Sequence, residues 1–362
     1  AKPTGAKPTG AKPEDIKVHR LNYIGSKFQL LDWITGIMKE KCSIDSFSGK
    51  RLADLFAGTG IVSHHFRLQN AIVQSNDAEL YSSIITHAFT LSSFNKTCTD
   101  IILELQQELV DNKHTGYVGF ITEKYSPYEG CSRKFFTVEN ANRIDYVRNR
   151  IEEKRRCLSE DDYKFLLASL LLSADAVSNV PAVYGCFLHN FKTKATRNLI
   201  YEPIHTNSVL ANEGSKTSNS DILSIVDTVC ADIVYLDPPY NGRQYSKNYF
   251  PLNMIALSPI EQRKELPLKG KTGIPESCFL SPFCKKGAIV EEAFEKLFKE
   301  LNAKWIFLSY NSESTVKKDR LLELMAKYGT ATVVERDYKR FKSFDYNKDV
   351  AIKEYLFCLA KG

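Results

Sequence analysis

The chain has 362 residues, 43% hydrophobic and 25% charged, which is enough to bury a large core and unlike a disordered or fibrous protein. Its formal net charge is +6, and +3 of that lies in the first twenty residues, so the body is only mildly basic and must meet a polyanion through local clusters. Nine cysteines without a C-x-x-C pair argue against a disulfide framework or a thiolate metal site and suit a reducing, cytoplasmic setting, and no stretch is apolar enough for a membrane span or signal peptide.

Residues 1–13 repeat Ala-Lys-Pro-Thr-Gly, and with residues 14–15 they read as a flexible tail or a remnant of cloning that cannot bury apolar surface. Leu21-Asn22-Tyr23-Ile24-Gly25-Ser26-Lys27 then leads into an amphipathic run from Phe28 to Met38, with Ser26 placed to cap it. A Gly-Ser-Lys turn at a helix start offers N–H groups and a cation to an anionic ligand group, or simply caps a helix beside a solvated lysine.

Arg51 to Asp54 reads as a strand, Phe56 to Gly60 as a glycine turn, and the following residues as a helix. The next predicted strand, residues 71–77, ends at Asp77, about twenty residues after the turn, where a Rossmann-type unit sets a carboxylate on a ribose. Residues 84–110 have helical spacing, and 112–140 read as loop and short strand. The cationic run from Arg143 to Arg156, interleaved with Asp145, Glu152 and Glu153, reads as a solvated helix face. Ser159 with Asp162 opens a strong helix through Val177, inside which Asp175 reads as a satisfied buried residue. Lys192, Lys194 and Arg197 follow a loop, and residues 211–220 read as a polar linker.

A buried apolar strand from Ala231 runs into Asp237-Pro238-Pro239-Tyr240, where two prolines end it rigidly and present an acid and a ring at its C-terminal edge. In an open α/β sheet that edge binds ligands. Residues 241–286 show few regular signals and carry a net +5 among aromatics, including Arg243, Tyr245 and Lys247, a mixture suited to a nucleic-acid backbone and unstacked bases. A helix at 291–302, a strand from Lys304, a helix at 319–328 and two neighbouring strands at 330–338 and 354–360 complete a mostly parallel sheet with one antiparallel edge strand.

Asn22 to Lys27, Asp54 to Gly60, Asp77 and Asp237-Pro-Pro-Tyr240, in that order, resemble the Dam-like, alpha-ordered adenine-N6 DNA methyltransferases, including those of restriction–modification systems. The resemblance runs from Arg20 to Ala360. It implies a Rossmann-like, S-adenosylmethionine-dependent α/β fold with a catalytic domain at 16–110 and 215–362. It also implies a helical insertion at 111–214 for target recognition and a basic DNA-contacting insertion at 241–286. The cofactor set would be Asn22, Tyr23, Gly25, Ser26 and Lys27 at the methionine end, Asp54 on the amino group, Phe56, Gly58 and Gly60 around the pocket, Asp77 on the ribose and Asp221 near the adenine. Asp237, Pro238, Pro239 and Tyr240 would be catalytic, and Arg243, Tyr245, Lys247, Lys192 and Lys194 would contact double-stranded DNA. Asn179-Val180-Pro181 with Tyr184-Gly185 is similar to a segment of the same family. No metal is expected, a companion restriction endonuclease is, and the oligomeric state is open.

The chemistry agrees. An adenine amine delocalises its lone pair into the ring and is paired and stacked in a duplex, so it must be flipped out before it can act as a nucleophile. Asp237 and the Pro238 carbonyl can accept its two hydrogens while Tyr240 stacks on the base. An RNA or cytosine-N4 methyltransferase, a protein-glutamine methyltransferase and a non-catalytic DNA-binding subunit are the alternatives, and the acid at Asp237 favours adenine over cytosine.

Overall fold

The computed structural model describes residues 21, 23, 25–92, 95–204, 214–338 and 352–361. A 3-10 turn, Phe28–Leu30, enters α1 (Leu31–Cys42) without a side-chain cap, so Ser26 does not serve as one and stands exposed before the turn. β1 (Arg51–Asp54), α2 (Ile61–Leu68), β2 (Ile72–Asp77) and α3 (Leu80–Thr90) follow as alternating units. What reads as one helix over 84–110 is two, because α4 (Lys96–Val110) starts afresh with Asn95 accepting a bond from the Cys98 N–H.

Residues 112–140 are more helical than their composition suggests. α5 (Phe120–Tyr125) is held by buried Asp145 of α6 (Val138–Glu153), whose carboxylate accepts bonds from the Gly119, Ile121 and Thr122 N–H groups at 2.8–3.1 Å. The run at 143–156 is likewise no simple solvated face, since Arg143 and Arg148 are buried. Arg148 donates to the Leu257 carbonyl, Glu152 and the Tyr163 hydroxyl at 2.9–3.0 Å. One face of a charged helix can be buried when every charge has a partner, and the sequence does not show the partners. α7 (Glu160–Ala176) opens on Ser159 as expected, with its side chain accepting from the Asp162 N–H.

The stretch read as a linker contains β3 (Lys216–Asn219), an edge strand parallel to β2, which the ladder and the Ser218 bond to Asn76 (2.8 Å) hold without apolar burial. α8 (Ile222–Ile225) and β4 (Cys230–Leu236) come next. Residues 241–286 hold α9 (Tyr245–Ala256) and α10 (Pro259–Lys264), the first hidden in the sequence by Pro251 in its interior. α11 (Ala288–Glu300), β5 (Asn302–Asn311), α12 (Lys318–Ala326), β6 (Thr330–Tyr338) and β7 (Ile352–Ala360) finish the chain.

The seven strands lie in the order β3-β2-β1-β4-β5-β7-β6. β7 runs antiparallel to both neighbours. The reversed strand is thus one place in from the edge rather than at it. Its side chains are buried nearly throughout, whereas those of β6 are half exposed, so β7 takes the inner position. Side chains alternate between two cores, Leu52, Val73, Ile233 and Phe307 packing on α1 and α2, and Ala53, Val234, Leu236 and Leu308 on α11 and α12. A third core joins α3 and α9 to α4, α6 and α7. This is a mostly parallel, Rossmann-like sheet with helices on both faces, and the chain path reverses between adjacent β1 and β4. At such a switch point the crevice above the strand ends is open to a ligand.

Candidate active site

The turn after β1 explains its glycines. Gly58 and Gly60 have φ of +56° and +74°, and a Cβ on Gly60 would lie 2.8 Å from the Thr86 Cα of α3. Asp77, at the end of β2, accepts from the Gly58 N–H at 2.8 Å and the Glu79 N–H at 2.9 Å, so it shapes the turn as well as facing the crevice. Burial raises its pKa and these N–H groups counter the effect. Glu79, absent from the sequence-derived set, is buried beside it, takes a bond from Asn253 of α9 at 2.6 Å and has its pKa pushed up to about 8 by desolvation.

The acid after β4 meets a buried cation. Lys27 is 3% exposed, and its Nζ lies 3.0 Å from Asp237 Oδ1 and 2.9 Å from the Gly25 carbonyl, while also contacting the Tyr240 hydroxyl. The Tyr240 hydroxyl donates to Asp237 Oδ1 at 2.7 Å. Both contacts fall on Oδ1, and Oδ2 has no partner among the described residues. Desolvation raises the Asp237 pKa, and the Lys27 charge opposes it. The Thr315 N–H donates to the Tyr240 carbonyl at 3.0 Å, and the Tyr240 ring stands edge-to-face with Tyr310 at 5.6 Å.

Both motifs open into one cleft of about 900 Å³, counting the space at its mouth that is open to solvent. Tyr23, Gly25, Ser26, Lys27, Phe56, Gly58, Asp77, Asp221, Asp237, Pro239, Tyr240 and Tyr245 line it. Asp54, Gly60 and Pro238 lie behind its wall, and Asn22 is outside the described residues. Asp54 accepts from Ser63 at 2.6 Å through one oxygen, its other oxygen is buried without a partner among the described residues, and burial pushes its pKa up to about 7. Glu79, Gln244, Phe279, Ser281 and Phe283 also line the cleft, and no motif in the sequence marks them.

A family model for D12 class N6 adenine-specific DNA methyltransferases matches residues 23–307. The chain belongs to this family. It is 39% identical to the type II methyltransferase M.CviAII of Paramecium bursaria Chlorella virus 1 over 94% of this chain and 98% of that one. It is 36% identical to M.NlaIII of Neisseria lactamica over 89% and 93%, and 33% identical to M.FokI of Planomicrobium okeanokoites over 94% of this chain and 53% of that one. Its substrate is adenine in DNA, its reaction is transfer of a methyl group to N6, and a methyl donor is required.

In this D12-class methyltransferase the residues expected on DNA divide into two sets. Arg243 and Lys247 are exposed beside the cleft. Tyr245 is instead a wall residue, 5.5 Å from the Tyr23 ring and 6.1 Å from that of Tyr249, because α9 turns its first residue inward. The Lys192 ammonium contacts the Val180 carbonyl, and that of Lys194 donates to the Asp175 carbonyl at 3.2 Å. Buried Asn179 binds the Lys134 and Leu188 carbonyls, while the Tyr184 hydroxyl donates to Asp175 at 2.8 Å, so the Asn-Val-Pro segment knits the insertion together. Among the described residues no group of three or more His, Cys, Asp or Glu could hold a metal ion, and no helix is long and apolar enough to cross a membrane.

Proposed function

We propose that this methyltransferase takes its methyl group from S-adenosylmethionine, delivers it to an adenine flipped out of duplex DNA, and protects DNA as the modifying half of a restriction–modification pair. One observation carries the reading: the glycine turn and Asp237, whose Oδ2 has no partner among the described residues, share a single cleft at the sheet's switch point. The residues present fit the donor, since Asp77 and Glu79 offer carboxylates to ribose hydroxyls and Asp221 with Phe56 and Ile222 forms an end suited to an adenine ring. The Asp54 oxygen without a partner among the described residues leaves an acid for the amino group, with Tyr23, Gly25, Ser26 and Lys27 at the methionine end. S-Adenosylmethionine supplies an electrophilic sulfonium methyl.

The chain supplies aim and charge. Lys27 and the Tyr240 hydroxyl fix Asp237 through Oδ1, so Oδ2 is left to accept one N6 hydrogen, and the Pro238 carbonyl takes the other. Drawing both hydrogens away pulls the nitrogen toward tetrahedral geometry and directs its lone pair out of the ring plane. The Tyr240 ring stacks on the flipped base. The Lys27 charge opposes the desolvation that favours the protonated form of the neighbouring carboxyl, and the surplus proton of the methylated nitrogen leaves through the same acceptors.

The helical residues of 111–214 are the proposed target-recognition region, with the exposed cations of 241–286 tracking phosphates. Lys192 and Lys194 would join them once released from their carbonyls. In the test, labelled S-adenosylmethionine is incubated with plasmid DNA, which is then digested to nucleosides. Label should appear in N6-methyladenine and vanish with Asp237→Ala; persistence in that variant would refute the site. Long-read sequencing of DNA from an expressing host gives the methylated sequence, which should resist an endonuclease of matching specificity.

A further inference from the structure

Phe279 and Ser281 both line the cleft, yet Leu280 between them is 51% exposed. A single exposed leucine is common. Leu280 differs in its mount. The Gln244 side-chain amide clasps Ser281 from both sides, donating to its carbonyl at 3.1 Å and accepting from its N–H at 2.8 Å. The Ser246 hydroxyl donates to the Phe279 carbonyl at 2.6 Å. The residues flanking Leu280 are therefore pinned to the start of α9, next to the wall residue Tyr245. An apolar side chain carried on a pinned backbone pays less ordering cost when it enters a partner than one on a free loop. Arg243 and Lys247 on one side of this mount in sequence, and Lys285 and Lys286 on the other, are exposed and can bring phosphates across the rim.

A flipped base leaves an apolar slot between its former stacking neighbours, and apolar wedges inserted there offset the forfeited stacking. We infer that Leu280 is such a wedge, entering the duplex as the target adenine moves into the cleft. The inference rests on the base-flipping reading above. Its action is on the cost of opening the duplex rather than on methyl transfer.

The test uses duplexes containing the sequenced methylation site. With 2-aminopurine in place of the target adenine, wild-type protein should raise the fluorescence as the base unstacks, and Leu280→Ala should lose at least about half of that rise. On the unmodified duplex Leu280→Ala should lose about tenfold in kcat/KM while Leu280→Met keeps wild-type values. With an abasic site opposite the target, opening costs less, and Leu280→Ala should return to within about twofold of wild type. No fluorescence rise with wild-type protein would overturn base flipping itself. A full rise and unchanged kcat/KM in Leu280→Ala would overturn the wedge alone, as would a loss that persists on the abasic duplex. Because the side chain is exposed, an unchanged thermal melt should accompany all three measurements.

Discussion

Lys27 is the residue on which the charge balance of the site turns. Register puts Asp54, Tyr235, Ser309 and Glu354 on one face of the sheet at its C-terminal end, so buried acids converge there and Lys27 inserts among them. Replacing Lys27 by Met removes the charge that opposes desolvation of Asp237, so that carboxyl will hold its proton to higher pH. The acidic limb of the kcat profile should move upward in pH and kcat should fall by about a hundredfold, as measured by methyl transfer from pH 5 to 9. Glu354 is 6% exposed, has one oxygen without a partner among the described residues, and has its pKa pushed up to about 6 by burial. An unfolded glutamate releases its proton near pH 4.3, so the proton favours the folded state. That stabilisation is complete below about pH 4 and is lost as pH rises through about 6. Glu354→Gln should therefore gain on wild type by up to about 2 kcal/mol between pH 4 and 8 in urea denaturation, and parallel curves would contradict it.

Among the elements, the glycine turn and the buried face of α6 carry the sharpest expectations. Gly60→Ala must accommodate a left-handed φ and a Cβ pressed on the α3 backbone, which should cost about 2 kcal/mol or more. Because α2 and the turn move together, donor affinity measured by calorimetry should fall as well. The turn was legible from Phe56, Gly58 and Gly60, but not the reason for the second glycine, which comes from α3. Arg148→Met strands the Leu257 carbonyl at the C-terminal end of α9 and takes the guanidinium away from Glu152, and should cost about 3 kcal/mol by urea denaturation. Exposed Arg156→Ala should leave the midpoint unchanged. Those two arginines look alike in the sequence, because burial of a charge depends on partners distant in the chain.

For the whole molecule, the modest net charge of +6 makes the distribution of cations decisive. Arg243, Lys247, Lys285 and Lys286 are exposed near the cleft, whereas Arg148 and Lys27 are spent internally. Lys285→Ala with Lys286→Ala should weaken binding to any duplex and reduce the slope of log K against log salt by about one for each phosphate no longer neutralised. The wild-type methylation site should be unchanged, since phosphate contacts set register and not sequence. A changed site on resequencing would make those lysines readers of bases.

By itself the sequence determined the strands other than β3, the two ligand-facing turns and the methyltransferase resemblance, because local signals carry them: apolar runs, glycines needing positive φ, and prolines that stop a strand. Tertiary structure alone decided that β7 lies inside the sheet, that residues 216–219 form an edge strand, that α9 exists despite Pro251, and that Tyr245 faces the cleft. It also decided the partners of Asp237, which join residues 27 and 237 at 3.0 Å. Each of these depends on groups far apart in sequence meeting across the sheet, where desolvation makes every unpaired charge costly and so selects the pairings.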